Sequence, residues 1–166
     1  MAVRRIENII VHCSDSGWGC TREIRAWHTT PPRNWRDVGY HFIITNGHVL
    51  SGFYLPALDG QIECGRYLDE TRFMDDLESG AHALGYNEYS VGVCLIGKES
   101  FTELQGHALR NLLFNLTNVY DIKPENILGH NETKSGKEQG KTCPNFDVAD
   151  WRLWLKGSRD VPVLPK

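Results

Sequence analysis

The chain has 166 residues, 40% of them hydrophobic and 23% charged, which is enough apolar material for one domain with its own core and too much for a disordered chain. Its formal net charge of −3 supplies no general attraction to nucleic acid. No apolar run approaches the roughly 20 residues that cross a bilayer, so membrane insertion is not expected either. The opening segment carries Arg4 and Arg5, but the apolar stretch behind it is short and broken by Glu7 and Asn8. It does not read as a signal peptide, and the expected site of synthesis and residence is the cytoplasm.

Ile6 to His12 is a β-branched apolar run that predicts a strand buried on both faces. Thr21 can cap a short helix holding Ile24 and Trp27, stopped by Pro31 and Pro32. Tyr40 to Thr45 predicts a second strand. Asn46-Gly47 then signals a two-residue hairpin turn into His48-Val49-Leu50, and Asp59-Gly60 signals another before Gln61-Ile62-Glu63-Cys64. Val91 to Ile96 is a further central strand. Thr102 and Gln105 form a capping-box pattern ahead of Leu104, Ala108, Leu109, Leu112, Leu113, Leu116, Val119 and Tyr120, which keep helical spacing up to Lys123-Pro124. A last helix is expected from Asp147, burying some of Trp151, Leu153, Trp154 and Leu155. Strands interleaved with helices predict a single α/β domain, a central mixed β-sheet flanked by helices, over residues 1–157. The tail 158–166, with Pro162 and Pro165, is expected to be flexible.

Five cysteines, Cys13, Cys20, Cys64, Cys94 and Cys143, are widely spaced and odd in number, which reads poorly as a disulfide framework. Three side chains of metal-ligand type stand at the ends of predicted elements. His12 closes the first strand, His130 follows Ile127-Leu128-Gly129, and Cys143 precedes Pro144 in a polar loop. One thiolate and two imidazoles suit Zn²⁺ with a fourth position open. Spacing alone does not select them, since the chain has neither a paired Cys-x-x-Cys nor a His-Glu-x-x-His. By strand alternation Cys13 should point away from His12 into the core, and His41 should be structural.

Several blocks in order carry a resemblance. They are Val11-His12-Cys13-Ser14, Asp37-Val38-Gly39-Tyr40-His41-Phe42-Ile43-Ile44, Asp59 to Arg66, Gly80-Ala81-His82-Ala83-Leu84-Gly85-Tyr86-Asn87, Ser90-Val91-Gly92-Val93, Gly129-His130 and Thr142-Cys143-Pro144. From about Ile6 to about Trp154 the chain resembles the amidase-2 family of N-acetylmuramoyl-L-alanine amidases. That family includes phage endolysin amidases and animal peptidoglycan recognition proteins. The resemblance implies one Zn²⁺ per chain held by His12, His130 and Cys143, with Tyr40 and Lys141 catalytic. His82 and Asn87 lie in the block that lines the family's substrate groove and are expected to bind glycan or peptide. Cysteine as third ligand is similar to the phage and animal branches; the cytoplasmic recycling amidases use aspartate there. The phenol of Tyr40 would orient an attacking water, and the ammonium of Lys141 would stabilise an oxyanion.

The chain departs from the family pattern twice. Gly52-Phe53-Tyr54-Leu55-Pro56-Ala57-Leu58 looks inserted, as an extension of the substrate groove, a contact for a partner, or a packed surface loop. The segment between His130 and Cys143 is long, and Ser135-Gly136 and Gly140 make it flexible. The function implied is hydrolysis of the N-acetylmuramic acid–L-alanine amide by a monomeric phage or prophage endolysin that reaches the wall after holin-type release. The alternatives are a non-catalytic peptidoglycan-binding module, or a dual-role phage protein that also binds a polymerase.

Overall fold

The computed structural model of the protein describes residues 3–166; residues 1 and 2, at the start of the expected domain, lie outside the described residues. In chain order the elements are β1 (Arg4–Arg5), β2 (Asn8–Cys13), α1 (Thr21–Thr29), β3 (Phe42–Asn46), β4 (Asp59–Cys64), β5 (Phe73–Met74), β6 (Ser90–Leu95), α2 (Glu103–Tyr120), β7 (Ile127–Gly129), α3 (Lys134–Glu138) and α4 (Ala149–Leu155).

The main sheet has the order β4-β3-β6-β2-β7. Only β4 runs antiparallel to its neighbour; the other pairs are parallel, so the sheet is mixed. A short ribbon of β1 and β5 stands beside it. The central strands β2 and β6 are buried on both faces, as continuous β-branched runs between helical layers should be. Alternation divides their side chains between two cores. Ile9, Val11, Val91, Val93 and Leu95 meet α2 and α4 through Leu109, Leu113 and Trp151. Ile43, Cys94 and Ile96 face α1 through Ile24 and Trp27. Leu109 and Leu113 are wholly buried, and truncating either to alanine should cost about 2–5 kcal/mol.

The start of α2 follows its predicted box. Thr102 Oγ1 accepts from Gln105 N, and Gln105 Oε1 accepts from Thr102 N, each at 3.0 Å. The other end of the Gln105 amide donates to the carbonyls of Ile44 and Ile96 at 3.0 and 2.8 Å, tying the helix to β3 and to the end of β6. Thus a capping residue also satisfies two backbone acceptors at the sheet's carboxyl edge.

The predicted hairpins are corrected. A single hairpin joins β3 to β4, with Asn46 opposite Asp59, and the whole segment 47–58 is its connection. Asn46 instead folds the loop's entry, its Oδ1 accepting from His48 N at 3.0 Å while its Nδ2 donates to Gly17 O at 2.9 Å. Asp59 is already within β4 and accepts from Thr102 Oγ1 at 2.6 Å. Both residue pairs are turn formers by propensity; Asn46 makes a local turn with His48 N, but long-range bonds to Gly17 O and Thr102 Oγ1 engage Asn46 and Asp59 as well, and neither pair closes a two-residue hairpin.

The long segment after His130, expected to be flexible, holds regular structure. It contains α3, capped by Thr133, whose Oγ1 accepts from Gly136 N at 2.9 Å. The C-terminal tail returns to the body: Leu164 is buried in the α2 core, and Phe101 N donates to Pro165 O at 2.8 Å. Among the described residues all five cysteines are free and no helix is long and apolar enough to cross a membrane.

Candidate metal centre

The parallel pairing of β2 with β7 aligns Val11 with Gly129. The next residue on each chain is a histidine, so His12 and His130 leave the carboxyl ends of neighbouring strands side by side, ring centroids 4.6 Å apart. This is the edge of a parallel sheet at which ligands commonly bind. A backbone clamp brings the third member: Asn131 N donates to Cys143 O at 2.8 Å, laying the 141–145 loop against the strand ends. His12 Nδ1 lies 3.8 Å from Cys143 Sγ, and donor atoms of His12, His130 and Cys143 all fall within 4.8 Å of one another.

That spacing fits one cation. Tetrahedral zinc, with Zn–S near 2.3 Å and Zn–N near 2.0–2.1 Å, requires donors about 3.5 Å apart along an edge. The chemistry of the set also fits. Burial, then the neighbouring His82 and His130, holds His12 well below the usual imidazole range, and burial followed by Lys141 lowers His130. Both rings are therefore neutral with a lone pair available. Cys13 N donates to Cys143 Sγ at 3.1 Å, a bond that favours a thiolate. Without a cation the Cys143 thiol is pushed up, first by its hydrogen bond with the Cys13 thiol and then by burial. Cys13 belongs to the core, as alternation requires, yet its sulfur also sits against the ligand sulfur, a contact the strand pattern did not show.

The scaffold around His130 is backbone and ion pair. Gly129 N donates to Glu132 Oε2 at 2.7 Å, and Glu132 is held by both guanidinium nitrogens of Arg152 at 2.8 Å. His130 O accepts from Thr133 Oγ1 at 2.8 Å. Asn145 reaches across the cleft floor, donating to Lys98 O at 2.7 Å. None of Asn131, Glu132, Arg152 or Asn145 stood out in the sequence. The one local signal that could have found any of them is a glutamate three residues after Gly129, placed to accept from the Gly129 N–H.

The three donors open into a cleft of roughly 750 Å³ lined also by Tyr40, Lys141, Arg33, Asp15 and Glu99. Tyr40 lies just ahead of β3, its ring 5.1 Å from that of His12. Burial first, then the Cys94, Cys143 and Cys13 sulfurs, hold its phenol well above the ordinary range, so it is neutral. Lys141 is exposed at the rim, its backbone N fixed to Gly136 O at 2.9 Å. A neighbouring groove shares Lys98 and Glu99 with this cleft and is bordered by His48 and Tyr54 of the 47–58 loop. In that loop Leu50, Phe53, Tyr54 and Leu55 are exposed.

The structure does not bring His82 and Asn87 to the cleft wall. Asn87 Oδ1 accepts from the backbone N of His82 and of Ala83 at 2.8 and 2.9 Å. His82 is buried behind His12, its Nδ1 3.0 Å from His12 Nε2. His41 is structural: Gly92 N donates to its Nδ1, and its Nε2 donates to Glu78 O, each at 2.9 Å. Of the tryptophans, Trp18 and Trp27 pack edge to face at 5.2 Å, and Trp35 lies tilted against His28 at 4.5 Å.

Comparison with known proteins agrees with this architecture. The chain is similar to the endolysin of Enterobacteria phage T3, 37% identical over 161 residues, covering 90% of this chain and 86% of the relative. It is likewise similar to the endolysin of Escherichia phage T7, 36% identical over 89% and 85% of the two chains. Among solved structures, the N-acetylmuramoyl-L-alanine amidase LysC from Clostridium intestinale shares the fold with a TM-score of 0.69 at 21% identity, covering 95% of this chain and 92% of that one. Drosophila PGRP-LB matches with a TM-score of 0.59 at 26% identity, over 86% and 79%. The family model described as N-acetylmuramoyl-L-alanine amidase matches residues 2–146, and with the endolysin relatives it shows that the chain belongs to that family.

Proposed function

We propose that the protein is a zinc-dependent N-acetylmuramoyl-L-alanine amidase that cleaves the bond between N-acetylmuramic acid and L-alanine in peptidoglycan. Its biological role in this reading is that of a phage or prophage endolysin. The observation that carries the reading is the convergence of His12, His130 and Cys143 donors within 4.8 Å at the floor of a cleft that Tyr40 and Lys141 also line.

His12 and His130 would supply imidazole nitrogens and Cys143 a thiolate. The bound ion would contribute Lewis-acid polarisation of the scissile carbonyl and acidification of water. The chain's own groups do the rest. Tyr40, a neutral phenol at physiological pH whose ionisation burial disfavours further, can orient the attacking water by hydrogen bonding at Oη. Its oxygen can take the proton the water sheds while its own hydrogen passes to the departing alanine nitrogen. Lys141 Nζ places positive charge where the carbonyl oxygen becomes anionic. Asp15 and Glu99 are the cleft's carboxylates, and Asp15 is paired with Lys98 at 3.2 Å. The protein acts as a monomer on the wall after holin-type release from the cytoplasm, with the groove beside the 47–58 loop extending its contact with the polymer.

The test is incubation of zinc-loaded protein with purified sacculi. New L-alanine amino groups should appear without new reducing ends. Protein that binds sacculi yet frees no amines would instead be a recognition module, and the proposal would fall.

A further inference from the structure

His82 is engaged by two elements that leave its ring little freedom. The ring rests over β6 at Gly92, where an added Cβ would stand 2.7 Å from its Cγ and Cδ2, and against Gly80, where one would stand 2.6 Å from Cδ2. The two glycines thus leave a slot, room for an imidazole that a side chain at either position would take up. Asn87 fixes the backbone at the slot's mouth through the His82 and Ala83 N–H groups. The ring is turned edge-on to His12, centroids 5.1 Å apart at 88°.

The hydrogen bonds around the ring fix which nitrogen carries the proton. His82 Nε2 is 3.4 Å from Ser90 O and 3.4 Å from Ser90 Oγ. Ser90 Oγ donates its own hydrogen to Tyr86 O at 2.7 Å, so both Ser90 atoms facing the ring are acceptors. A neutral His82 therefore carries its hydrogen on Nε2 and presents a bare Nδ1 to His12. His12 Nε2, at 3.0 Å, must then be the donor, which leaves His12 Nδ1 without hydrogen on the side where Cys143 Sγ lies.

We propose that His82 is a positioning residue for the metal centre: it selects the His12 tautomer whose Nδ1 lone pair faces the cation site and holds that ring in plane. The proposal rests on the metal-centre reading above and replaces direct substrate contact as the role of His82. Neutral second partners of this kind orient ligating histidines and raise their basicity; their loss weakens metal affinity by about 10–100-fold.

The experiment compares wild type with His82→Leu, which fills the slot without an acceptor, and His82→Asn, whose Oδ1 can take the place of Nδ1. Zinc affinity is measured by competition with a chromophoric chelator, and folding of each metal-free protein by circular dichroism. His82→Leu should bind zinc about 10–100-fold more weakly, and His82→Asn should recover most of that loss. In metal-free wild type, ¹⁵N NMR of the imidazoles should show His12 protonated on Nε2 and His82 also on Nε2. A folded His82→Leu with wild-type affinity overturns the proposal, as does an asparagine variant no better than leucine. Should the leucine variant not fold, the wild-type tautomers decide alone, and His12 protonated on Nδ1 overturns it. A wild type that takes up no zinc removes the metal-centre reading and this proposal together. Zinc uptake unaffected in the folded leucine variant removes only the latter.

Discussion

The two histidines of the candidate centre are held in contrasting ways. His12 stands on a central strand, 1% exposed, with its ring fixed by another side chain at 3.0 Å. His130 begins a short turn after β7, half open to the cleft, and its position is set by hydrogen bonds to its own backbone and by the Glu132–Arg152 pair beside it. Cys143 belongs with the second kind, since a backbone bond from Asn131 carries it in. A strand fixes the Cα path but leaves an imidazole free to rotate, so the strand-borne ligand needs a partner for its ring. A loop must first be made rigid as backbone, and there the partners are carbonyls, N–H groups and an ion pair. One centre therefore joins a half stiffened by side chains to a half stiffened by main chain.

The largest effect should come from breaking the loop half at its ligand. Cys143→Ala is expected to lose both zinc and amide hydrolysis, read by metal analysis and by release of alanine amino groups. Full zinc occupancy in that variant would refute the ligand set. Tyr40→Phe separates chemistry from scaffold: zinc content should be unchanged while kcat falls by on the order of 10²-fold. An unaltered kcat would remove Tyr40 from the proton path.

Acid should strike the strand half first. Burial holds His28 and His41, which pack behind that half, at about 4, below the 6.5 of an unfolded histidine. Because the folded values are the lower ones, unfolding takes up protons between these limits. Stability of the metal-free protein is thus complete above about pH 6.5 and declines towards pH 4, by on the order of 3 kcal/mol per histidine. A urea midpoint that is the same at pH 7 and pH 5 would contradict this. The smallest effect tests the other half. Glu132→Gln keeps shape but loses the charged acceptor for Gly129 N and Arg152, and should cost about 2 kcal/mol of unfolding free energy. If thermal melting is unmoved, the ion pair is not what stiffens the His130 turn.

How far the sequence reached follows the same division. Strand ends and helix caps are local, so His12 at the end of an apolar run and the Thr102–Gln105 box were legible from a few residues each. The expected α/β domain with a mixed sheet is the one observed. The candidate ligand set was suggested only by the ordered blocks of the family resemblance, because no local spacing links residue 12 to residue 143. The Asn46-Gly47 and Asp59-Gly60 signals misled for the converse reason: Gly17 O and Thr102 Oγ1, both distant in the chain, claim those side chains. The burial of His82 was not legible because the space its ring occupies is left by Gly80 and by Gly92 on another strand, and neither glycine announces what will rest against it. The tail was expected to fray from its prolines, whereas Leu164 finds a place in the core that only the folded helix creates.

His12 and Cys143 are 131 positions apart in the chain. An ion gripping both would act as a cross-link, fastening the first central strand to almost the last ordered loop. During synthesis that fastening cannot occur until residue 143 has emerged, after every strand of the sheet, so metal uptake would follow the laying down of the sheet. Removing the ion should then loosen amide hydrogens near residues 12 and 143 together, while those of α2 stay protected.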